Sequence, residues 1–252
     1  MKKIKLTYTL LLSVSLLTIG STARAQDNFP KEVAGTMQLQ GMYRQSKLGQ
    51  LNGILGANGI PALPESNYWL NLSMNHIHNN WVMEDGIGAS FTSTSAANTA
   101  NGIRAKYNQY QIYGRLGYDV STTPKMRAFP FVGINLSTAM LRIQDNTRMQ
   151  STSSFSPELT NLTASKTLWN PRFGLEFGGG FDYLIPIKDK KMDNITIHRS
   201  LPIGLRFGYY LQTSNSPWRV DDNYKLQNGP DNKQSNVFVN LNIGLGYKIQ
   251  RP

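Results

Sequence analysis

Apolar and polar side chains alternate strictly along several long stretches of the chain. In residues 172–183, RFGLEFGGGFDY, positions such as Phe173 and Phe177 are apolar, whereas positions such as Arg172 and Glu176 are charged. Successive side chains of a β-strand point to opposite faces. The stretch is therefore predicted to be a strand with one oily face and one face of charged and small residues.

The same alternation predicts eight strands in all. They cover residues 33–44, 68–75, 81–91, 109–120, 132–140, 172–183, 201–212 and 237–249, with Asp85 interrupting the apolar face of the third. Most exceed the roughly 5–6 residues of an average globular strand and reach the roughly 9–11 residues that a tilted membrane strand needs. Strand length therefore favours a membrane barrel.

The connections between these strands alternate between short and long. Those after the second, fourth and sixth strands are HNN, STTPK and IKDKKMDNITIH. Those after the odd-numbered strands cover about 45–66, 93–105, 144–169 and 213–235. Short periplasmic turns and long extracellular loops alternate in this way in outer-membrane barrels, and an even strand count places both chain ends on the periplasmic side.

Aromatic residues near the predicted strand ends fit the girdles that such barrels place at the membrane interfaces. They are Tyr43, Tyr68, Trp81, Tyr107, Phe129, Phe131, Trp169, Phe181, Tyr183, Tyr209, Tyr210 and Tyr247. A soluble barrel or sandwich, the alternative, would expose faces made mainly of Gly, Asn and Ser, a poor water-exposed surface. The predicted fold is therefore all-β: an antiparallel transmembrane β-barrel of about eight strands in the cell outer membrane.

The first residues have the features of a secretory signal peptide. Lys2, Lys3 and Lys5 precede an apolar stretch too short to span a bilayer, and the small-x-small sequence at 23–25 is a cleavage site. We therefore assign residues 1–25 to the signal and 26–252 to the barrel; the alternative is an N-terminal membrane anchor.

The mature chain is basic and contains no cysteine. Of 26 Lys and Arg residues, four leave with the signal peptide, so against 15 acidic residues the mature net charge is +7. A basic exported protein suits anionic polymers and lipid headgroups, although these charges are scattered along the chain. Nucleic acid is not an expected partner of an exported protein.

The chain resembles the small outer-membrane β-barrel proteins of Gram-negative bacteria, and most closely the single-domain barrels common in Bacteroidetes. The long alternating strands carry the resemblance, above all FGLEFGGGFDYLIP and VFVNLNIGLGYKI. The resemblance implies an architecture rather than an activity. Two features depart from it: the chain ends on Pro252 instead of the terminal aromatic that the assembly machinery reads, and no peptidoglycan-binding domain follows the barrel.

The first long loop contains a candidate helix at residues 46–57. Leu48, Leu51, Ile54 and Leu55 would lie on one helical face. The helix would cap the barrel rim, or act as a plug or a partner-binding element. It would sit in an outer loop or, if the first strand fails to form, at the periplasmic mouth.

The later long loops are polar. Trp218 and Arg219 in the last of them are candidate contacts for a ligand, because exposed Trp and Arg often bind partners. Packing against the rim is the alternative for both.

Five charged residues fall on the predicted interior faces of different strands: Glu84, Arg115, Arg172, Glu176 and Arg206. Eight strands enclose a space just wide enough for side chains to fill. Buried charges there must pair or carry a large desolvation cost. We predict an interior ion network that fills the lumen; the alternative is a gated polar path lined by the same residues.

The remaining motifs do not build a convincing chemical site. His76 and His78 share a strand face, but the chain has only one more histidine, His198, and no cysteine, so a third metal ligand would have to be a carboxylate such as Asp193. No G-x-S-x-G motif and no nucleophile–base pair is visible, and the glycines at 178–180 are interpreted as room for large interior neighbours. No catalytic, cofactor or metal site is predicted.

The expected function is a structural or surface-interaction role in the outer membrane. Two alternatives remain open: a narrow porin passing small solutes, and a membrane-embedded enzyme that modifies lipids or peptides. The expected partners are outer-membrane lipids and lipopolysaccharide, the barrel assembly machinery, and a surface polymer or protein. The barrel is expected to be a monomer.

Overall fold

The computed structural model describes residues 32–94, 102–145, 165–192, 195–214, 216–220, 224–231 and 233–250. It contains ten strands and one helix. The strands are β1 (Glu32–Gln45), β2 (Ser66–His78), β3 (Trp81–Ser93), β4 (Ile103–Tyr118), β5 (Met126–Asp145), β6 (Ser165–Met192), β7 (Ile195–Gln212), β8 (Arg219–Val220), β9 (Tyr224–Lys225) and β10 (Ser235–Gln250), and the helix is α1 (Gly49–Ala57). The predicted signal peptide, 1–25, lies outside the described residues.

Eight of the strands close into a ring. Each strand from β1 to β7 pairs antiparallel with the next, and β10 pairs with both β7 and β1. The two short strands, β8 and β9, lie outside the ring and extend the sheet from β6. The predicted eight-stranded antiparallel barrel is confirmed, including its first strand.

The register of the ring determines how steeply its strands tilt. Following paired residues once around the barrel from Ala34 on β1 returns to Arg44, ten residues further along β1. With a rise of about 3.3 Å per residue and a strand spacing of about 4.8 Å, this shift gives a tilt of about 40°. At that tilt, the outward residues from Val33 to Tyr43 span about 25 Å, the height of the apolar band of such barrels.

The two faces of the wall differ as the alternation predicts. On β1, Leu39 is half exposed on the outside, whereas Gln38 and Gln40 are fully buried on the inside. The stretch 172–183 shows the same pattern, with Phe177 on the outside and Glu176 buried on the inside. An apolar exterior around a polar interior is the arrangement of a transmembrane barrel, and the protein is an integral outer-membrane β-barrel.

The hairpin joining β6 and β7 is longer than predicted. Residues 187–198 were expected to form a loop, but the strands continue to Met192 and resume at Ile195, with a register shift between Ile187 and Lys190. Strand pairing satisfies the backbone of this polar segment even beyond the apolar wall. The hairpin therefore projects as a stiff extension at the end of the barrel that carries the short turns.

The opposite end, which carries the long loops, also has more sheet than predicted. β4, β5 and β6 continue past the predicted strands at 109, 140 and 172 to Ile103, Asp145 and Ser165. β8 and β9 then add to β6 through the pairs Leu168–Val220 and Trp169–Arg219. We call β8, β9 and the parts of β4, β5 and β6 beyond the predicted strands the sheet extension.

Part of the predicted aromatic girdle was wrong. Tyr107, Phe129, Phe131 and Tyr210 are buried inside the barrel rather than placed at a membrane interface. Tyr43, Tyr68, Trp81, Phe181, Tyr183, Tyr209 and Tyr247 do lie exposed on the outer wall. Position near a strand end does not separate the two groups, because only strand register decides which face a residue occupies.

Helix α1 lies at the long-loop end and begins at Gly49 rather than at residue 46. Its buried residues are Leu51 and Leu55, joined by the preceding Leu48, whereas Ile54 is exposed, contrary to the predicted face. Asn52 holds the following loop through two hydrogen bonds: its side-chain amide donates to the C=O of Leu63 and accepts from the N–H of the same residue. No helix among the described residues is long and apolar enough to cross a bilayer.

Asp85, the one acidic interruption of the predicted apolar faces, points outward. Its carboxylate lies 3.5 Å from Nε2 of His76 on the neighbouring strand, and both side chains are more than half exposed. The carboxylate on the apolar wall therefore has a local polar partner. Charges on a lipid-facing wall carry a cost that such a partner offsets in part.

The consecutive glycines of β6 make room for interior side chains, as predicted. A methyl group on the inward Gly180 would lie 2.5 Å from Cζ of Phe129 and 3.0 Å from Cδ of Arg206. On the outward Gly179 it would meet the ring of Phe207 at 3.0 Å, and that ring is free to turn on the exposed surface. Gly180 is therefore required by packing inside the lumen.

We expect Gly180→Ala to lower the free energy of unfolding by about 1–3 kcal/mol, the usual cost of overpacking. Gly179→Ala, the matched control, should change it by less, because the backbone effect is the same and only the interior clash differs. Guanidinium unfolding of both variants in phospholipid vesicles, followed by tryptophan fluorescence, measures the difference. Equal stabilities would contradict this role for Gly180.

Candidate functional site

A chain of five charged side chains crosses the middle of the lumen. It runs Asp182, Arg206, Glu84, Arg115, Glu176, so that carboxylates and guanidiniums alternate. Nη1 of Arg206 donates to Asp182 at 2.8 Å and Nε of Arg206 donates to Glu84 at 3.0 Å. Nη1 of Arg115 donates to the other oxygen of Glu84 at 2.6 Å, and its Nε donates to Glu176 at 2.7 Å. We call these residues the ion ladder.

The ion ladder ties opposite walls of the barrel together. In the ring, β3 and β7 are four strands apart in either direction, so the Glu84–Arg206 bond spans the lumen. Amides and hydroxyls from the remaining strands complete the network: Gln40, Ser73, Tyr113, Asn135, Asn240 and Asn242. All eight strands of the ring thus contribute a side chain to one connected cluster.

The ladder is buried, so its members depend on one another. Each of the five residues is at most 5% exposed. Removing one partner of such a buried pair typically costs about 3–5 kcal/mol, because the remaining charge is left uncompensated. The cluster therefore locks the conformation in which all five meet.

Interior aromatic rings cover the guanidiniums of the ladder. The guanidinium carbon of Arg115 lies 4.3 Å from the ring centre of Tyr113 and 5.1 Å from that of Phe131. Arg206 lies 4.7 Å from the ring centre of Phe129. Cation–π attraction of this kind strengthens when water is excluded. The aromatic residues misassigned to the girdle thus help to stabilise the interior charge.

The structure brings four of the five residues of the predicted network together in the ion ladder. Arg172 lies elsewhere: it donates to Asn170, Tyr107 and Gln109, and it forms no ion pair with a carboxylate of the described residues. The reason is its height, since Arg172 is four residues beyond Glu176 toward the long-loop end of the same strand. Alternation identifies the interior face but does not give the level at which a side chain meets its neighbours.

Two interior charges were missed. Asp182 is a member of the ladder, and Arg44 lies between the rings of Trp69 and Tyr210, 4.5 and 4.7 Å from their centres. Both occupy interior positions in the alternation of their strands, so the sequence signal was present. The alternation does not identify the partners of these two residues, because the partners lie on strands that are distant in the sequence.

A cluster of apolar side chains, which we call the hydrophobic cap, packs inside the barrel at the long-loop end. Apolar residues of α1 and the segment after it pack on the inner faces of β4 and β5 and on Trp218: Leu48, Leu51, Leu55, Ile60, Leu63, Ala105, Tyr107, Ala139 and Leu141. The side chain of Gln234 fastens the cap by bonding the N–H and the C=O of Lys47. The predicted helix is therefore part of the cap and lies at the long-loop end.

The two candidate loop contacts have opposite surroundings. Trp218 is only 3% exposed inside the cap, so the prediction of a surface ligand contact is wrong and its alternative, packing, is correct. Arg219 follows it on the outer face of the sheet extension, opposite Trp169. Adjacent strand residues face opposite ways, which separates the two roles.

The short-turn end is open. A cavity of about 730 Å³ lies there, lined in part by Thr36, Asp119, Arg127, Leu184 and His198. Arg127 stands directly opposite the ladder residue Asp182 in the register of β5 and β6. The cavity, which we call the vestibule, thus includes the register partner of one end of the ion ladder.

The histidines all lie toward the short-turn end. His198 bonds Asp189 at 2.9 Å, as His76 bonds Asp85 on the outer wall. Within the part of the chain that the structure describes, no three His, Asp or Glu side chains come together as a metal site. The candidate ligand Asp193 lies outside the described residues.

No family model matches the chain, and no curated protein matches it. Among solved structures, it is similar to the attachment invasion locus protein Ail of Yersinia pestis, with 11% identity over 86% of this chain and 98% of Ail and a TM-score of 0.38. A major outer membrane protein from Thermus thermophilus has 11% identity over 85% of this chain and 99% of its own, with a TM-score of 0.36.

The Neisserial surface protein A has 12% identity over 87% of this chain and 97% of its own, with a TM-score of 0.33. Identities and TM-scores this low transfer neither a function nor a ligand. The assignment of the fold rests on the closed ring of strands and on its apolar exterior.

We expect Glu176→Ala to destabilise the barrel by about 3–5 kcal/mol, because it leaves Arg115 without one of its two carboxylates. Glu65→Ala removes an exposed carboxylate that has no side-chain bond to any described residue, and it should change stability by no more than about 0.5 kcal/mol. Melting temperature and the gel shift on boiling measure both. An unchanged Glu176→Ala variant would contradict a stabilising ladder.

Proposed function

We propose that this outer-membrane barrel is closed to solutes and has a structural or surface-interaction role. Its strands anchor the protein in the membrane, and its capped long-loop end faces the cell exterior. The observation that carries the proposal is that two separate layers, the ion ladder and the hydrophobic cap, lie across the lumen at different heights.

The ladder supports closure because displacing its side chains would carry a large free-energy cost. A solute passing the middle of the barrel would have to break the bond between Glu84 and Arg206, which joins opposite walls. Both side chains are buried and would lose their compensating charge. The vestibule at the short-turn end is therefore proposed to be a blind cavity.

The cap supports a surface role because it is held in place from several sides. The N–H of Asp231 donates to the side chain of Gln50 on α1, and Gln234 bonds Lys47 just before the helix. Helix α1 still leaves Ile54 exposed to solvent. Such an end offers a partner a preorganised surface, which lowers the entropy cost of binding.

The proposal assigns no catalytic role. His76 and His198, each paired with an aspartate, lie toward the short-turn end and not beside the cap. A lipid- or peptide-modifying enzyme acting at the cell surface would need its base at the long-loop end, within hydrogen-bond reach of a nucleophile.

Planar-bilayer recording of the folded mature protein tests closure. We expect no steady conductance steps from the wild type. A variant in which residues 49–57 are replaced by a Gly-Ser linker should also be silent, because the ion ladder remains. A general porin reconstituted in the same way serves as the positive control.

The other two outcomes of this recording would overturn different parts of the proposal: the first would overturn closure itself, and the second would overturn closure by the ion ladder. Steady, ion-selective steps from the wild type would favour the narrow porin. Steps that appear only after removal of α1 would mean that the ladder is passable and that the cap alone closes the barrel.

Cysteine labelling in intact cells tests the orientation, and the chain itself contains no cysteine. Ile54→Cys on α1 and Thr122→Cys in the turn before β5 both replace exposed residues, at opposite ends of the barrel. A membrane-impermeant maleimide should label the Ile54→Cys protein on intact cells and the Thr122→Cys protein only after lysis. The reverse pattern would refute the proposed surface role.

A further inference from the structure

The outer face of the sheet extension carries a cluster of positive charges just beyond the apolar wall. On β4, the outward residues toward the long-loop end are Tyr110, Asn108, Lys106 and Arg104. On the neighbouring strands, the outward cations are Arg142 on β5, Arg219 on β8 and Lys225 on β9. We call Arg104, Lys106, Arg142, Arg219 and Lys225 the outer basic patch.

Like charges in this patch are directly opposed across strands. Lys106 stands opposite Arg142, and Arg219 stands opposite Lys225, each pair on one face of the sheet. Side chains opposed in this way have Cβ atoms about 4.5–5.5 Å apart, and like charges there destabilise a sheet. We expect the repulsion within these two pairs of cations to be offset by a bound external anion.

The cations of the patch have little compensation from the residues that the structure describes. Among these, no carboxylate forms an ion pair with any of the five. Within the same set, the one side-chain acceptor of Arg142 is the hydroxyl of Ser165, at 3.3 Å. The Nε atoms of Arg104, Arg142 and Arg219 are buried without a hydrogen-bond partner.

The height of the patch points to the lipid headgroups. Lys106 lies four residues beyond Tyr110, the last exposed apolar residue of β4. At a strand tilt of about 40° this is about 10 Å along the barrel axis, and the stems of Lys and Arg let the charges reach part of the way back. The patch thus faces the interfacial layer of the leaflet on the long-loop side.

We propose that the outer basic patch binds the phosphate groups of a phosphorylated glycolipid in the leaflet on the long-loop side. Arg142 and Lys106 would hold one phosphate and Arg219 and Lys225 a second, with Trp169 between the two pairs. Arginine favours such contacts because its planar donors match phosphate oxygens. The site is independent of whether the lumen conducts.

Binding of lipid A, the diphosphorylated glycolipid probe, tests the proposal on the full mature protein in neutral phosphatidylcholine nanodiscs, with native mass spectrometry as the readout. Asp221 and Asp222 lie between Arg219 and Lys225 in the sequence, and residues 221–223 are outside the described residues. The first variant therefore leaves Arg219 and Lys225 unchanged and carries only Lys106→Gln and Arg142→Gln. A second variant adds Arg219→Gln and Lys225→Gln. Lys190→Gln with Lys191→Gln, at the exposed short-turn hairpin, is the matched control.

We expect the wild type and the control to retain lipid A, and the first variant to bind it about tenfold or more weakly. The charge-preserving exchange Lys106→Arg with Arg142→Lys should keep most of the binding. Dephosphorylated lipid A should bind poorly to every protein, and rising salt should weaken retention. The gel shift on boiling verifies that each variant is folded.

Three results would overturn the proposal: equal retention by the wild type and both patch variants, an equal loss in the hairpin control, or equal binding of dephosphorylated lipid A. Inorganic pyrophosphate distinguishes the source of the phosphate. If it binds the detergent-solubilised protein as tightly as lipid A binds in the nanodisc, the patch is a site for free phosphate and not for a lipid.

Discussion

The structure depends on one constraint: within a bilayer, every backbone N–H and C=O must find a partner inside the protein. Sheet satisfies this constraint only when it has no open edge, and the pairing of β1 with β10 removes the edge. Closure with eight strands and a ten-residue shift then determines the width of the lumen. That width leaves room for side chains and little else, so the interior must be filled and its charges must be paired.

The ion ladder is the consequence of that requirement at the middle of the barrel. Hydrophobic burial does only part of this work, because most apolar side chains are turned toward lipid and a smaller interior cluster, which includes Phe131 and Phe238, packs beside the charges. Alternating carboxylates and guanidiniums add bonds across the lumen, with Glu84 joining β3 to both β4 and β7. The arrangement requires each member to be present, and this interdependence favours a single interior packing over many alternatives.

The two ends of the barrel are built for different surroundings. At the short-turn end, the wall ends in an open vestibule and a polar hairpin. At the long-loop end, α1 and Trp218 belong to the hydrophobic cap, and the sheet extension carries the outer basic patch beside it. This asymmetry is the reason that both proposals, a surface role and a lipid-phosphate site, concern the long-loop end.

The alternation of apolar and polar residues was enough to predict the class of the protein, the number of strands in the ring and the direction in which most side chains point. A period of two is a local property of each strand, so it can be read without knowledge of any neighbour. The same alternation identified four members of the ion ladder as interior residues. It also placed Asp182 and Arg44 on interior faces, although their roles were not recognised.

Which of these residues contact each other depends on the assembled barrel. Arg172 shares a face with Glu176 but lies too high to join the ladder, and Phe131 lies near a strand end yet stacks on Arg115. Contacts of this kind depend on the tilt and stagger of the strands, which are properties of the closed ring as a whole. The opposed cations Lys106 and Arg142 likewise come together only through strand register, because no pattern within a single strand encodes its partner.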